Sequence, residues 1–430
     1  MVLRQFTWSC LFCILWGCQA SFEDAPSTHP QSPTRKIPEN IPQQPLTDPS
    51  SSSAQPEFIL NLGPKQPFVL STQGDLGSNA GATHQTFSAR IQDCPAKYSG
   101  LDWGLYWYGR QKRCEKFVGG PSYRFYDPEK PTLIFVHGWQ RNSVNKRNRE
   151  TFDDRARQGP PIDMADIWLD RGWNIGILYW NQFADEGEVK HAEAKIWSAS
   201  GPRLLRWRKE DGSYGNSGVV QQSLGEQFAA LYRKALRNQR HDDVRLAGHS
   251  LGSQMVLAIG KALLDRKRDN KRRERIKLPQ RIVLLDPAFL RNRRSYLQNR
   301  KTSELSQEAA ESLRKAGVVL ETYRSSGAVS NPFVGDANER LLKRTAFTEL
   351  KPHYFSFWQF PEKHTVAKWH YFWSLAFPPP TVENVSRPGP SASATLADIR
   401  YWMESPQKLE QVRGKNTRTP NDDILRSRRK

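Results

Sequence analysis

The period of the apolar positions changes several times along the chain, and the changes mark out its elements. Thr132-Leu133-Ile134-Phe135-Val136, the segment Trp173 to Trp180 and Ile282-Val283-Leu284-Leu285 are almost continuously apolar over strand length, the pattern of parallel strands buried on both faces. Val318 to Tyr323 predicts the strand after these. Between them, helical spacing predicts one helix around Met164 to Leu169 ending at Gly172. A second spans Val219 to Leu236 through Val220, Leu224, Phe228, Leu231 and Ala235, and a third runs from Thr365 to Trp373 after a loop Phe360 to His364. Strands alternating with helices in this order give an α/β fold, a mostly parallel central sheet with helices on both faces. Upstream, Phe87 to Tyr126 is dense in aromatics with a polar alternation that predicts antiparallel strands at the sheet edge, the rings reading as core.

One stretch carries chemistry. Arg245-Leu246-Ala247-Gly248-His249-Ser250-Leu251-Gly252-Ser253-Gln254-Met255-Val256 reads as a short apolar strand, then Gly-x-Ser-x-Gly, then the first turn of a helix. A strand turning sharply into a helix brings backbone segments almost into contact, and Gly248 and Gly252 have no Cβ to clash there. Ser250 then stands at the tip of the turn. The Leu251 amide, at the positive end of the following helix, points into the same space.

Three segments together resemble the α/β-hydrolases, in particular the lipase and esterase branch that includes pancreatic-type lipases. They are the strand leading to His137-Gly138-Trp139, the Gly-His-Ser-Leu-Gly at 248–252, and Leu284-Leu285-Asp286-Pro287-Ala288. The resemblance covers about Arg90 to Phe377 and implies an α/β-hydrolase fold and a serine hydrolase of carboxylic esters. Residue by residue, it makes Ser250 the nucleophile, Asp286 the acid at a strand end, and the Trp139 and Leu251 amides the oxyanion donors. The family order is serine, acid, histidine. Only His353, His364 and His370 follow both Ser250 and Asp286; His364, just before a helix, is the base, with His370 and His353 as alternatives. Asp336, in the loop after the next strand, is the alternative acid. His137 precedes the serine and is expected to hold its loop. Trp180, Phe183 and Asn181 fit either an acyl pocket or plain loop packing. The chain departs from those lipases in the longer spacing from Ser250 to Asp286, where the basic run Arg266 to Arg275 is inserted. No cofactor is implied, and no cluster has metal-ligand spacing.

Composition adds two things. The formal charge of +20 implies attraction to polyanions, an anionic membrane surface included. No zinc, helix-turn-helix or RNP-like motif accompanies the charge, so nucleic acid is a poor partner for it. At the amino end, residues 1–17 combine Arg4 with an apolar run from Phe6 to Trp16, a secretory pattern too short to span a bilayer comfortably. Leu15-Trp16-Gly17-Cys18 resembles a bacterial lipoprotein signal, implying lipidation at Cys18 and an exported, envelope-anchored protein; Trp16 departs from the usual small residue. Cys94 and Cys114 remain for a disulfide.

The domain plan is therefore a signal peptide (1–17), a Pro/Ser-rich disordered tether (18–86), a catalytic domain (87–380) and a polar, basic tail (381–430). The tail is expected to hold one helix from Thr395 to Val412 and to close on the solvated run Arg426 to Lys430. The substrate expected is an ester or lipid-like molecule; amides and thioesters need the same apparatus, and a tethered binding protein on a hydrolase scaffold is the non-enzymatic alternative.

Overall fold

The structure, a computed structural model, describes residues 91–97, 103–120, 123–155, 158–216, 221–269, 275–326 and 335–430. The signal segment, Cys18, the tether, Val219, Val220 and part of the basic run fall outside the described residues.

The chain begins with strands β1 (Ile91–Asp93), β2 (Gly104–Tyr108), β3 (Arg113–Lys116) and β4 (Thr132–Val136), then helix α1 (Met164–Asp170) and β5 (Asn174–Tyr179). Asp163 caps α1 by accepting the Ala165 amide at 3.0 Å, and Gly172 leaves it at φ 78°. Two short helices, α2 (Asn181–Ala184) and α3 (Val189–Trp197), and a small hairpin, β6 (Trp207–Arg208) and β7 (Tyr214–Gly215), follow. Helix α4 (Leu224–Ala235) opens on a Ser223/Glu226 capping box and leads to β8 (Val244–His249) and α5 (Leu251–Arg268). The chain continues through β9 (Arg281–Leu285), α6 (Thr302–Lys315), β10 (Val319–Arg324), α7 (Glu339–Leu342), β11 (Ala346–Glu349) and α8 (Phe360–Ser374). It closes with β12 (Thr381–Val382), α9 (Leu396–Glu404), β13 (Gln407–Arg413) and β14 (Ile424–Arg429).

Among the described residues, twelve strands form one sheet in the order β1-β3-β2-β5-β4-β8-β9-β10-β11-β13-β14-β12. From β5 to β13 every neighbour is parallel; β1, β3 and β2 add an antiparallel edge, and Cys94 and Cys114 within it are joined by a disulfide, Cα atoms 5.8 Å apart. Alternate residues of the central strands face opposite layers. Leu133 and Phe135, Ile175 and Ile177, Ala247, Val283 and Leu285 share a buried cluster with Trp168 of α1 and Trp369, Tyr371 and Phe372 of α8. Helices α4, α5 and α6 pack side by side on the other face. This is the α/β-hydrolase architecture. β4 runs on to β5 on one side while β8 lies on the other, so the loops leaving β4 and β8 diverge at the carboxyl ends of the strands, where open α/β sheets bind their ligands.

Two expectations are corrected. Residues 381–430 are not a solvated tail. β13 pairs in parallel with β11 and antiparallel with β14, burying Leu409, Gln411 and Leu425. The expected helix from Thr395 to Val412 stops at Glu404 and becomes a strand at Gln407. Lys408 of β13 lies 3.1 Å from Glu349 on the neighbouring β11 and 3.1 Å from Glu410 of its own strand, while Arg426, Arg428 and Arg429 are exposed as expected although they belong to a strand, Arg426 pairing with Glu383. Beneath the sheet, Arg281, paired with Glu321 of β10, donates to the Ser391 carbonyl at 2.6 Å, and Arg245 donates to that of Ala392 at 2.7 Å. These ties hold the proline-rich segment in place. Helix α8 also begins earlier than expected. Phe360 to His364 form its first turns, because Pro361 sits where an amide has no helical partner to lose.

Candidate active site

The turn at Ser250 is as tight as its glycines suggest. Ser250 has φ 57° and ψ −122°, a conformation that L-residues rarely adopt. A Cβ on Gly248 would stand 2.1 Å from the Gly252 carbonyl oxygen, and one on Gly252 would stand 2.1 Å from that of Val136. Strand β8, the start of α5 and the end of β4 thus touch backbone to backbone. Gly138 closes the third side, its position for a Cβ lying 2.7 Å from the Ser250 Cβ and 3.2 Å from Oγ. The loop carrying Trp139 therefore sits against the serine, and the Leu251 amide is the first of α5. From the next strand, the Leu285 carbonyl accepts the Ser250 amide at 3.0 Å.

Asp286 follows Leu285 directly, is fully buried and has φ 44°. Its Oδ1 accepts the amides of Ser325 (3.2 Å) and Ser326 (3.4 Å), and its Oδ2 accepts the Ser326 hydroxyl (2.6 Å). His364 Nδ1 lies 2.7 Å from the same Oδ2. A carboxylate accepts, so Nδ1 carries the proton. The His364 ring packs against that of His249, the residue before Ser250, with centroids 4.7 Å apart, and His249 Nε2 donates to the His364 carbonyl at 2.9 Å. Ser325 Oγ holds the same turn by donating to the Lys363 carbonyl at 2.6 Å and accepting the Ala367 amide at 3.0 Å. Burial first, then the neighbouring His364 and Lys368, push the His249 imidazole well below its usual range, so it is neutral.

The structure separates the remaining histidines and acids. His137 Nδ1 donates to the Gly138 carbonyl at 2.9 Å, and its Nε2 accepts the Trp180 amide at 3.1 Å. Burial lowers its pKa to about 4, and it holds the β4 loop as a neutral ring. Asp336 accepts the Ser303 hydroxyl at 2.8 Å and the Asn338 amide at 2.9 Å, fastening α6 and bonded to none of the three histidines that follow Ser250. His370 faces Asp423, with Nε2 to Oδ2 at 2.7 Å, and His353 is exposed beside Lys415. Trp180, Phe183 and Asn181 are buried; Trp180 donates its indole proton to the His137 carbonyl at 2.7 Å, and Asn181 donates to Gln140 Oε1 at 2.5 Å. Among the described residues, no group of three or more His, Cys, Asp or Glu is arranged to hold a metal ion, and no helix is long and apolar enough to cross a membrane.

Sequence reasoning did not find the charged cluster behind the histidines. Lys368, one turn beyond His364 on α8 and 1% exposed, contacts Glu150 and donates to Asp154 Oδ1 at 2.8 Å, both carboxylates buried in the loop after β4. The signal was a lone lysine inside the aromatic run Thr365 to Trp373, four residues after the histidine.

Solved structures that this chain matches include a lipase/esterase from Lactobacillus plantarum, 11% identical over 56% of this chain and 83% of that one, with a TM-score of 0.29. A poly(3-hydroxybutyrate) depolymerase from Bordetella parapertussis is 14% identical over 51% of this chain and 62% of that one, TM-score 0.27. No protein-family model and no curated protein matches the sequence. At these identities no residue's role passes across, and the site stands on its own geometry.

Proposed function

We propose that the chain is a serine hydrolase of carboxylic esters. The observation that carries this reading is one constellation: His364 bonded through Nδ1 to buried Asp286 at 2.7 Å and packed on His249, the neighbour of a strained Ser250. In this reading His364 Nε2 takes the Ser250 proton as Oγ bonds to the substrate carbonyl carbon. The oxyanion that forms is held by the Trp139 and Leu251 amides. His364 returns the proton to the leaving alcohol as the ester C–O bond breaks. Water, deprotonated by the same His364, then attacks the acyl-enzyme, and Ser250 Oγ departs with that proton. Asp286 stabilises the imidazolium formed in each half.

The test is turnover of short and long p-nitrophenyl acyl esters beside Ser250→Ala, with phosphonate labelling mapped by mass spectrometry. Ester turnover and a label on Ser250, both lost in the variant, support the reading; a silent, unlabelled wild type sinks it and leaves the tethered binding protein in its place. We also propose that the chain is exported and anchored by lipid on Cys18. The Leu-x-Gly-Cys sequence and the Cys94/Cys114 disulfide, a bond favoured in oxidising compartments, support this. Incorporation of an alkyne-tagged fatty acid by the full chain but not by Cys18→Ser is the expected result.

A further inference from the structure

Helix α8 is unusual for carrying, within a buried stretch, a lysine whose charge is met on two sides. Lys368 Nζ contacts Glu150 and lies 2.8 Å and 2.6 Å from the two Asp154 oxygens, and all three side chains are at most 5% exposed. Removing three charges from water is expensive, and well-packed apolar side chains would serve stability as well or better, so stability alone is a weak reason for the cluster. Its connections are more telling. Glu150 Oε2 accepts from Gln140 at 2.8 Å, Gln140 accepts from Asn181 at 2.5 Å, and Gln140 is the residue after Trp139. The Glu150 carbonyl accepts the Tyr179 hydroxyl at 2.6 Å. The ammonium on the helix of the base is thus bonded, through one carboxylate, to the loop of the proposed oxyanion donor.

We propose that Lys368 is a positioning residue of the hydrolytic site, locking the helix of His364 to the Trp139 loop through Glu150 and fixing the charge behind the base. The inference rests on the hydrolase reading above. Lys368 and His364 are four residues apart on α8 and so project from the same face. Asp286 from the end of β9 bonds the His364 ring, His249 from β8 packs on it, and His249 in turn feels the charges of Lys368 on α8 and Glu150 in the loop after β4. His249 and His137 stay neutral, because burial lowers both. Asp286 is needed in every variant. Lys368 and Glu150 therefore act on the imidazolium with opposite signs from one locked pair, and each can be neutralised separately.

The experiment compares the full chain with Lys368→Met, Glu150→Gln and Lys368→Arg, following kcat and KM on p-nitrophenyl butyrate from pH 5 to 9, with circular dichroism and thermal melting to establish folding. Loss of the nearby positive charge raises the pH at which the base loses its proton, so Lys368→Met moves the acid limb of kcat/KM upward by about one pH unit. Loss of the negative charge in Glu150→Gln moves it downward by about the same amount. In both, kcat falls about tenfold with KM nearly unchanged, the sign of lost positioning, and Lys368→Arg recovers most of the rate. Limbs that stay in place, or shift the same way in both variants, overturn the assignment. Should Lys368→Met fail to fold, the shape-conserving Glu150→Gln decides alone. A wild type that is neither active nor labelled on Ser250 refutes the hydrolase reading and this inference with it; a labelled, active wild type with unmoved limbs refutes only the inference.

Discussion

Helix α8 carries two histidines that each meet a buried aspartate at 2.7 Å, and the two pairs are built differently. His364 spends Nδ1 on its aspartate. His370 uses Nε2, and its Nδ1 is buried without a partner among the described residues. Asp286 is fully buried, lies at φ 44° and accepts from two amides, a hydroxyl and an imidazole. Asp423 lies at an ordinary φ of −67° and accepts from Gln411 at 2.8 Å besides His370. The first pair stands next to the strained Ser250; the second fastens α8 to the segment before β14. The lesson is that the histidine–aspartate distance identifies nothing alone. What distinguishes the sites is which ring nitrogen is spent and whether the backbone around it is strained.

Neutralising one aspartate at a time separates the two pairs most clearly. Asp286→Asn should cost about 10⁴-fold in kcat on a p-nitrophenyl ester, as expected when the wrong imidazole tautomer is imposed, while Asp423→Asn stays within about threefold of wild type. Similar losses in both would erase the distinction. A pH effect comes next. His137, with its pKa lowered to about 4 against an unfolded value near 6.5, binds its proton more readily in the unfolded chain. Its contribution to stability is therefore complete above about pH 6.5 and is lost as pH falls toward 4, by up to about 3 kcal/mol. Chemical denaturation at pH 7 and pH 4 should show a steeper decline for wild type than for His137→Gln. Third, His370→Gln should lower stability by about 1–3 kcal/mol in urea melts, with activity nearly kept. The smallest effect tests the support of Asp286. Ser326→Ala removes one donor from a carboxylate that keeps three, and should reduce kcat/KM about fivefold with an unchanged melting temperature.

The central fold was legible because β4, β5, β8 and β9 are buried on both faces, which leaves a nearly unbroken apolar record, and because the elbow needs glycine at two fixed places. The carboxyl-terminal strands left no such record. Leu409 and Leu425 are the only large apolar side chains that β13 and β14 bury, and their charges pair across the ladder with partners that are remote in sequence, as Lys408 does with Glu349. Within the candidate site, Ser250 was marked by its glycines and Asp286 and His364 by the resemblance to α/β-hydrolases, with alternatives beside both, whereas Lys368 depends on Glu150, more than two hundred residues away, and no local period encodes that meeting.

Strand β14 has a consequence for the history of each molecule. Because polypeptides emerge from the ribosome amino end first, Ser250, Asp286 and His364 are all out before residues 407–429 exist as a ladder. Until then the outer side of β11 is a bare row of amides and carbonyls, ready to stitch onto any other unfinished chain. A nascent molecule therefore passes through an interval in which Ser250 has already been made while its sheet is still open to strangers.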